Sequence, residues 1–300
     1  MKGLILCGGK GTRMRPLTYT VPKILLPVNN IPILNYQLDL LKDCDKVILA
    51  TNHLTEKIGR YIHDNDYKNV IINKEKEFLG TAGAIKYAEE FFDDPFIVLN
   101  GDIITSANVE KLMIFHRETE ALATMALHAM EDPSSYGVVR CEKRKIVEFR
   151  EKPKDTSHQL INAGLYVIDP ELLEYVEKDK KVSMEREIFP QLVAEGKLCG
   201  YPLKNSWLDT GTPENYIRTN LELAESEYVA GEGVTTRSST VKNSVVFNNV
   251  RIENAMIANS IIADNAEVVN AAVENSIVGE NAQVHKDIKN KKIKQEEVIK

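Results

Sequence analysis

The chain has 300 residues, of which 43% are hydrophobic and 27% are charged, and its formal net charge at pH 7 is −6. This length allows a sizeable core and two domains, and the acidic balance disfavours nucleic-acid binding, which normally needs a basic surface. No apolar run approaches the ~20 residues of a membrane span, and because Met1 and Lys2 lead directly into a predicted strand we expect no signal peptide. Because the four cysteines are scattered, we expect a cytoplasmic protein with free thiols rather than disulfides or a cysteine metal site.

The first half of the sequence alternates short β-rich runs with amphipathic helical stretches. Strands are predicted at residues 2–7, 46–50, 70–72 and 96–99, and helices at residues 33–42, 55–63 and 82–92. Alternation of this length predicts right-handed crossovers and a Rossmann-like, mostly parallel α/β sheet. In such sheets ligands bind at the carboxyl ends of the strands.

From about Leu122 the pattern becomes richer in strands. We expect strands at residues 137–140, 145–149 and 161–168, followed by helices at residues 171–177, 185–195 and 213–225. No linker interrupts this region, so residues 1–230 are predicted to form one domain.

Three consecutive segments of 16 residues then align with one another: 236–251, 252–267 and 268–283. Valine or isoleucine recurs at Val241, Ile257 and Val273, and an Asn-Ser pair follows each of these residues two positions later. A period of three short aliphatic steps is typical of a β-solenoid and resembles the hexapeptide-repeat left-handed β-helix. We predict this domain over residues 231–285, followed by a charged tail over 286–300 that forms a solvated helix or frays.

A glycine-rich loop, LCGGKGTRMRPL, follows the first predicted strand and carries three glycines and three cations. Such a loop favours phosphate, because backbone N–H groups of glycine approach an anion without a Cβ in between. The spacing matches neither the dinucleotide fingerprint nor the P-loop.

The loop resembles the signature of the nucleotide-sugar pyrophosphorylases, which join a nucleoside triphosphate to a hexose 1-phosphate and release pyrophosphate. The likeness continues in the same order through seven further motifs, PK at 22, GTAG at 80, NGD at 100, YGV at 136, EKP at 151, NAG at 162 and WLD at 207. It covers essentially all of residues 1–225. The resemblance implies an enzyme of this family.

The resemblance also implies roles for individual residues. Nucleotide binding is expected at Leu6, Gly8, Gly9, Gly11, Thr12, Arg13, Glu75, Gly80 and Thr81. Arg13 would contact the β- and γ-phosphates, and Lys23 the α-phosphate. Binding of the sugar phosphate is expected at Gly137, Glu151, Lys152 and Asn162. Asp102 and Asp209 match the family's two Mg²⁺-binding carboxylates, and Mg²⁺ is the expected cofactor.

The base and the sugar are less closely defined by the sequence. Relatives that use uridine or thymidine triphosphate have glutamine five residues before the glycine at 80, where this chain has Glu75. A carboxylate only accepts hydrogen bonds and suits the adjacent N1–H and N2–H₂ donors of guanine. The motifs at 133–139 and 183–190 resemble mannose-1-phosphate guanylyltransferases, whereas Thr212 departs from their usual Gly-Gln-Pro. We predict GTP and mannose 1-phosphate as substrates, with a glucose-1-phosphate thymidylyltransferase or uridylyltransferase as the alternative.

Two further alternatives concern the class of protein. A non-catalytic regulatory paralogue is disfavoured by the intact Arg13, Lys23, Asp102, Lys152 and Asp209. An acyltransferase function of the β-helix is disfavoured because no histidine lies within its repeats. We therefore expect the β-helix to be structural and to mediate homo-oligomerisation.

Overall fold

The computed structural model describes residues 1–154 and 158–300 of the chain. The strands of the first 209 residues are β1 (Lys2–Leu6), β2 (Pro27–Val28), β3 (Ile31–Pro32), β4 (Lys46–Thr51), β5 (Val70–Lys74), β6 (Phe96–Asn100), β7 (Ile103–Thr105), β8 (Ala123–Ala129), β9 (Gly137–Glu142), β10 (Lys145–Glu151), β11 (Leu160–Ile168), β12 (Leu198–Pro202) and β13 (Trp207–Asp209). The α-helices are α1 (Leu17–Thr20), α2 (Ile33–Leu40), α3 (Thr55–Asp64), α4 (Gly80–Tyr87), α5 (Val109–Arg117), α6 (Phe189–Ala194) and α7 (Pro213–Ala224). Shorter 3₁₀ turns lie at Thr12–Met14, Lys23–Leu25, Glu89–Phe91 and Pro170–Tyr175, and a π-helical turn at Met184–Ile188.

The rest of the chain consists of short strands. They are β14 (Tyr228–Ala230), β15 (Thr235–Arg237), β16 (Thr240–Lys242), β17 (Ser244–Val246), β18 (Arg251–Glu253), β19 (Met256–Ala258), β20 (Ile261–Ile262), β21 (Glu267–Val269), β22 (Ala272–Glu274), β23 (Ile277–Val278), β24 (Gln283–Val284), β25 (Ile288–Lys289), β26 (Lys292–Ile293) and β27 (Val298–Ile299).

The chain folds into two compact units. Residues 1–9 and 34–207 form one, here called the sheet unit, and residues 10–33 and 208–300 form the other, here called the solenoid unit. The predicted boundary at residue 230 places residues 10–33 and 208–230 in the same domain as the sheet. In the structure, these residues belong to the solenoid unit together with the β-helix. The domain boundary at 230 stays a prediction.

The sheet unit is built on one sheet with the strand order β5-β4-β1-β6-β11-β8-β12-β10-β9. The strands β5, β4, β1 and β6 are parallel, as the alternating pattern predicts, and Leu4 of β1 lies between Ile48 and Val98 of its neighbours. In the second half β11 runs antiparallel to both β6 and β8. The carboxyl ends of β1 and β6 therefore meet at one edge of the sheet, where the glycine loop and the turn at Gly101 follow them.

The repeats form parallel strands stacked coil upon coil, in the sheets β14-β17-β20-β23-β26, β15-β18-β21-β24-β27 and β16-β19-β22-β25. Their core consists of stacked aliphatic side chains, for example Ile257 on Val273. Asparagines with left-handed backbone, such as Asn243, Asn259 and Asn275, turn the corners between strands. Asparagine tolerates this conformation better than most residues, which explains its recurrence in the sequence.

The predicted solvated helix or frayed tail over residues 286–300 is wrong, because these residues form the last coil. Ile288 lies next to Val273, and Ile293 next to Val278, in parallel register. The step between these partners is 15 residues instead of 16. An alignment of 16-residue segments loses the pattern at this point, although the buried aliphatic residues continue.

Candidate active site

The loop after β1 brings two predicted nucleotide-binding residues of the sheet unit together. A Cβ atom on Gly8 would lie 3.1 Å from Oε1 of Glu75 and 3.3 Å from the backbone nitrogen of Asn52, whereas one on Gly9 would meet none of the described residues within 4 Å. Gly8 therefore packs directly against Glu75. Gly9 has open space beside its Cα atom, where an anion can approach the backbone.

Glu75 follows β5 and is only 3% exposed. Its Oε2 accepts a hydrogen bond from Leu79 N at 3.0 Å, and its Oε1 is the atom that faces Gly8. Burial raises the pKa of Glu75, and the N–H group of Leu79 partly opposes that rise. The result is a desolvated acceptor beside the loop, with one of its oxygens facing the glycine backbone.

Gly80 and Thr81 begin helix α4. Gly80 has a φ of +75°, and a Cβ atom there would lie 2.5 Å from Val182 O, so both the backbone conformation and the space require glycine. The hydroxyl of Thr81 accepts a hydrogen bond from Met184 N and donates one to Oε2 of Glu185, each at 2.8 Å. This hydroxyl thus binds the segment around residue 184.

Asp102 lies in the turn after β6 and is half-buried. Gly101 donates a hydrogen bond to Leu6 O at 2.9 Å, and a Cβ atom on Gly101 would lie only 2.4 Å from that oxygen. This close approach fixes the turn against the carboxyl end of β1. Asp102 therefore lies at the sheet edge at which the sequence predicts it.

Strand pairing brings the predicted sugar-phosphate residues together. Glu151 of β10 lies opposite Gly137 of β9, and a Cβ atom on Gly137 would be 3.1 Å from Oε2 of Glu151. Burial raises the pKa of Glu151, while nearby Lys152 lowers it. The ammonium of Lys152 is 3.9 Å from Oε1 of Glu151, and its backbone has a φ of +49°. A non-glycine residue in this conformation costs free energy and is often found at functional sites.

Strand β11 adds amide and phenol groups to the same region. Asn162 accepts a hydrogen bond from Gly164 N at 2.9 Å through its Oδ1. Within residues 1–154 and 158–300, the hydroxyl of Tyr166 and Oδ1 of Asn100 are buried without a hydrogen-bond partner. Burial raises the pKa of Tyr166 and the carboxylates of Glu185 and Glu151 raise it further, whereas the nearby amide side chains of Asn162 and Asn100 lower it. Buried polar atoms are normally paired, so these two are suited to the hydroxyl groups of a ligand or to water.

Glu185 is a residue of this region that sequence reasoning missed. It lies in the π-helical turn, and its Oε2 accepts hydrogen bonds from Thr81 Oγ1 and from Ser183 Oγ, the second at 2.7 Å. The negative charge of Glu185 also helps to raise the pKa of Glu151. The available signal was the motif at 183–190, but nothing local connects it to a threonine 104 residues earlier.

In the solenoid unit, the loop continues from Gly11 in a tight turn. Gly11 has a φ of +58°, and a Cβ atom there would lie 2.8 Å from Cγ2 of Thr18 and 3.3 Å from Cβ of Lys23. Its carbonyl accepts hydrogen bonds from Thr18 Oγ1 at 2.8 Å and from Met14 N at 2.9 Å. These bonds fold residues 12–14 into a 3₁₀ turn, which carries Thr12 and the exposed Arg13.

Asp209, at the end of β13, is held by two short hydrogen bonds. Its Oδ1 accepts one from Gly211 N and its Oδ2 one from Asn215 Nδ2, both at 2.6 Å, and the residue is 7% exposed. A Cβ atom on Gly211 would lie 2.7 Å from Oδ1 of Asp209 and 3.1 Å from Nη2 of Arg13. Gly211 thus permits an arginine and a carboxylate, both predicted from the sequence, to approach the same point.

The comparison with known families decides what this arrangement belongs to. The nucleotidyl transferase family matches residues 2–226, and the GlmU-like C-terminal hexapeptide family matches residues 219–292. The chain belongs to the nucleotidyl transferase family. The predicted family and the predicted α/β domain followed by a hexapeptide β-helix are confirmed.

Curated relatives are similar in sequence to this chain over most of its length. Mannose-1-phosphate guanyltransferase 2 of Candida glabrata is 36% identical, and the alignment covers 82% of this chain and 71% of the relative. Mannose-1-phosphate guanyltransferase of Yarrowia lipolytica is 38% identical, with 72% and 62% covered. A putative mannose-1-phosphate guanyltransferase of Sulfolobus acidocaldarius is 35% identical, with 77% and 65% covered. The chain thus spans about two thirds of the length of these curated relatives.

Solved structures resemble this one closely. A putative glucose-1-phosphate thymidylyltransferase from Bacillus anthracis, solved with sucrose, is 26% identical with a TM-score of 0.68, covering 75% of this chain and 96% of its own. HddC from Yersinia pseudotuberculosis, complexed with GMP-PN, is 25% identical with a TM-score of 0.64, covering 74% and 99%.

In the part of this chain that the structure describes, no helix is long and apolar enough to cross a membrane.

Proposed function

We propose that the chain transfers the guanylyl group of GTP to mannose 1-phosphate, giving GDP-mannose and pyrophosphate. The observation that carries the choice of base is the buried carboxylate of Glu75, of which one oxygen faces Gly8. Guanine presents two adjacent donors that a carboxylate accepts, whereas uracil and thymine present a donor between acceptors. The names of the relatives support both substrates.

In the proposed reaction a phosphate oxygen of mannose 1-phosphate attacks the α-phosphorus of GTP. A new P–O bond forms as the bond to the β-phosphate oxygen breaks, and pyrophosphate leaves. Such a transfer depends on positioning and on neutralising negative charge, not on a protein nucleophile. Arg13 neutralises the β- and γ-phosphates, Lys23 the α-phosphate and Lys152 the incoming sugar phosphate.

Magnesium is part of the proposal, and the donors present fit it. Asp209 is oriented by Gly211 and Asn215, which donate hydrogen bonds to its two oxygens. Among the described residues no three His, Cys, Asp or Glu side chains form a metal-binding group. Mg²⁺ is often held by one or two carboxylates together with substrate phosphates, and Asp102 and Asp209 are the carboxylates proposed for that role. When bound, Mg²⁺ would neutralise phosphate charge.

Selection of the sugar is assigned to the buried and half-buried polar groups of the sheet unit. Glu151 and Asn162 accept hydrogen bonds from sugar hydroxyls in this proposal, and the orphaned hydroxyl of Tyr166 and the Oε1 of Glu185 complete the set. An unpaired buried hydroxyl costs about 1–3 kcal/mol, which a correctly placed ligand hydroxyl would recover.

We also propose that the enzyme acts in the cytoplasm as a homo-oligomer that associates through its β-helix. Stacked parallel coils leave open strand edges at their ends, which favours contact with another copy. Light scattering of the full chain should give a molar mass above that of one chain. A mass equal to one chain would refute the association.

The function is tested by measuring pyrophosphate release with Mg²⁺ from each of the four common nucleoside triphosphates in combination with mannose, glucose and galactose 1-phosphates. The pair of GTP and mannose 1-phosphate should have the highest kcat/KM. Preference for thymidine or uridine triphosphate with glucose 1-phosphate would indicate the alternative transferase. Absence of pyrophosphate with every pair would indicate a non-catalytic regulatory paralogue.

A further inference from the structure

The last coil of the β-helix differs from the earlier coils at one register position. In the sheet β14-β17-β20-β23-β26, alternate residues such as Val278 and Ile293 belong to the β-helix core. The residue directly before each of these core residues lies on the opposite face of the sheet. Three such residues, Val245, Ile261 and Ile277, are nevertheless only 2%, 0% and 3% exposed. In the last coil this row ends in Lys292, which lies next to Ile277.

Helix α7 lies beside this row. Ile217 and Leu221 of α7 line a groove of about 1020 Å³ together with Ile261 and Ile277, and Lys292 is among its lining residues. Four strands of this sheet thus present an aliphatic side chain at this register (Val229, Val245, Ile261 and Ile277), and the fifth presents a long side chain with a charged donor. The ammonium group of Lys292, at the end of an aliphatic row, needs a polar partner.

That partner is the backbone of the glycine loop. Lys292 Nζ donates a hydrogen bond to Arg13 O at 2.8 Å. In the 3₁₀ turn, Met14 N bonds to Gly11 O and Arg15 N bonds to Thr12 O. The next bond in this series would come from residue 16 to Arg13 O, but Pro16 has no N–H group. Lys292 therefore supplies the hydrogen-bond donor that Pro16 lacks.

A second contact from the β-helix reaches the same segment. Thr20 Oγ1 donates a hydrogen bond to Oε2 of Glu280, which lies in the coil before Lys292. Two side chains of the last coils therefore hold residues 13 and 20 from outside the loop. The bond to Arg13 O is the shorter of the two, at 2.8 Å against 3.4 Å.

We propose that Lys292 is a positioning residue for Arg13, and hence that the last coil of the β-helix is part of the triphosphate-binding device. This inference rests on the proposed function, in which Arg13 contacts the β- and γ-phosphates. A charged donor gives a strong hydrogen bond to a carbonyl, so it fixes the backbone from which the guanidinium extends. It also adds positive charge beside a loop that binds a polyanion.

The test compares Lys292→Met, Lys292→Arg and the control Lys291→Met. Methionine keeps the length of the stem but donates nothing, and Lys291 is an exposed neighbour on the same coil. Lys292→Met should raise the KM for GTP by about threefold to tenfold, the factor expected for one lost hydrogen bond. The KM for mannose 1-phosphate should change less than twofold. Lys292→Arg should recover at least half of the loss, and Lys291→Met should match the wild type.

Hydrogen exchange of the unliganded protein separates this inference from the proposed function. The amides of Met14 and Arg15 should exchange faster in Lys292→Met than in Lys291→Met, whether or not the protein transfers nucleotides. Unchanged exchange would overturn the positioning role. Faster exchange with an unchanged KM for GTP, or equal increases of both KM values, would overturn the link to triphosphate binding. If the wild type proves inactive, equilibrium binding of GTP by the same variants replaces the KM.

Discussion

The two units of the chain handle polar groups in different ways. In the sheet unit, Glu75 is buried with a raised pKa, and the Tyr166 hydroxyl is buried without a partner among the described residues. In the solenoid unit, Asp209 has both oxygens engaged, and the carbonyl of exposed Arg13 is held by Lys292. The sheet unit keeps acceptors and donors desolvated and available, whereas the solenoid unit fixes charged groups by hydrogen bonds.

This difference fits the two demands of the proposed reaction. Discrimination between similar bases or sugars depends on buried groups that lose free energy when left unpaired. Stabilising phosphate charge instead depends on charged groups held in place before the substrate arrives. Changes to the buried acceptors of the sheet unit should therefore act mainly on selectivity, and changes to the fixed charges of the solenoid unit mainly on triphosphate use.

The two aspartates should give the largest effects and differ in a way that sharpens the comparison. Asp102→Asn and Asp209→Asn should each reduce kcat by at least about 100-fold, because each removes a proposed Mg²⁺ ligand. Asp209→Asn should also lower the free energy of unfolding by about 1–3 kcal/mol, since the amide places an NH₂ group against a donor. Pyrophosphate release and denaturant unfolding measure these effects. A kcat near that of the wild type would remove the residue from the metal site.

Much of this arrangement could be predicted from the sequence, because the informative residues are local. Strand β1 ends in a glycine loop, and Asp102 follows a buried strand, so the carboxyl edge of the sheet was identifiable. The 16-residue period predicted the stacked coils. Glu151 and Gly137 were assigned by resemblance, and their pairing across β9 and β10 follows from strand register.

The remainder depends on contacts between distant parts of the chain. Nothing in the sequence near Lys292 indicates that it bonds to a carbonyl 279 residues earlier. The last coil was also missed, because its residues follow their partners by 15 positions and not by 16. Glu185 bonds to Thr81 only because the segment at 182–184 packs against the start of α4. A reading based on periodicity and motifs does not detect such pairs.

Substitutions of one cation in each unit should separate the two substrates. Arg13→Ala should raise the KM for GTP by about tenfold or more, and Lys152→Ala should do the same for mannose 1-phosphate, because each loses a charged contact with one phosphate group. Full kinetics with either substrate varied measure the split. The opposite pattern would mean that each of the two cations contacts the phosphate of the other substrate.

Replacement of the buried acceptor should produce a smaller change, confined to the base. Glu75→Gln keeps the hydrogen bond from Leu79 possible but substitutes an amide donor for one acceptor, so the ratio of kcat/KM for GTP to that for UTP should fall about tenfold. The KM for mannose 1-phosphate is the internal control and should stay the same. An unchanged ratio would show that Glu75 does not contact the base.

The pH dependence of GTP binding should give the smallest and most specific effect. Burial raises the pKa of Glu75, so it takes up a proton at a higher pH than an exposed carboxyl group. Protonation removes an acceptor for guanine, and the KM for GTP should therefore rise as the pH falls through this pKa, while Glu75→Gln should not show that rise. The sign for stability is opposite, because a raised pKa in the folded state means that Glu75 contributes most at low pH and loses this contribution as the pH rises through its folded pKa. A parallel thermal unfolding series should show that the rise in KM does not follow loss of folded protein. If the wild type and Glu75→Gln have the same pH profile, the titrating group is another one, and the base is not read by this carboxylate.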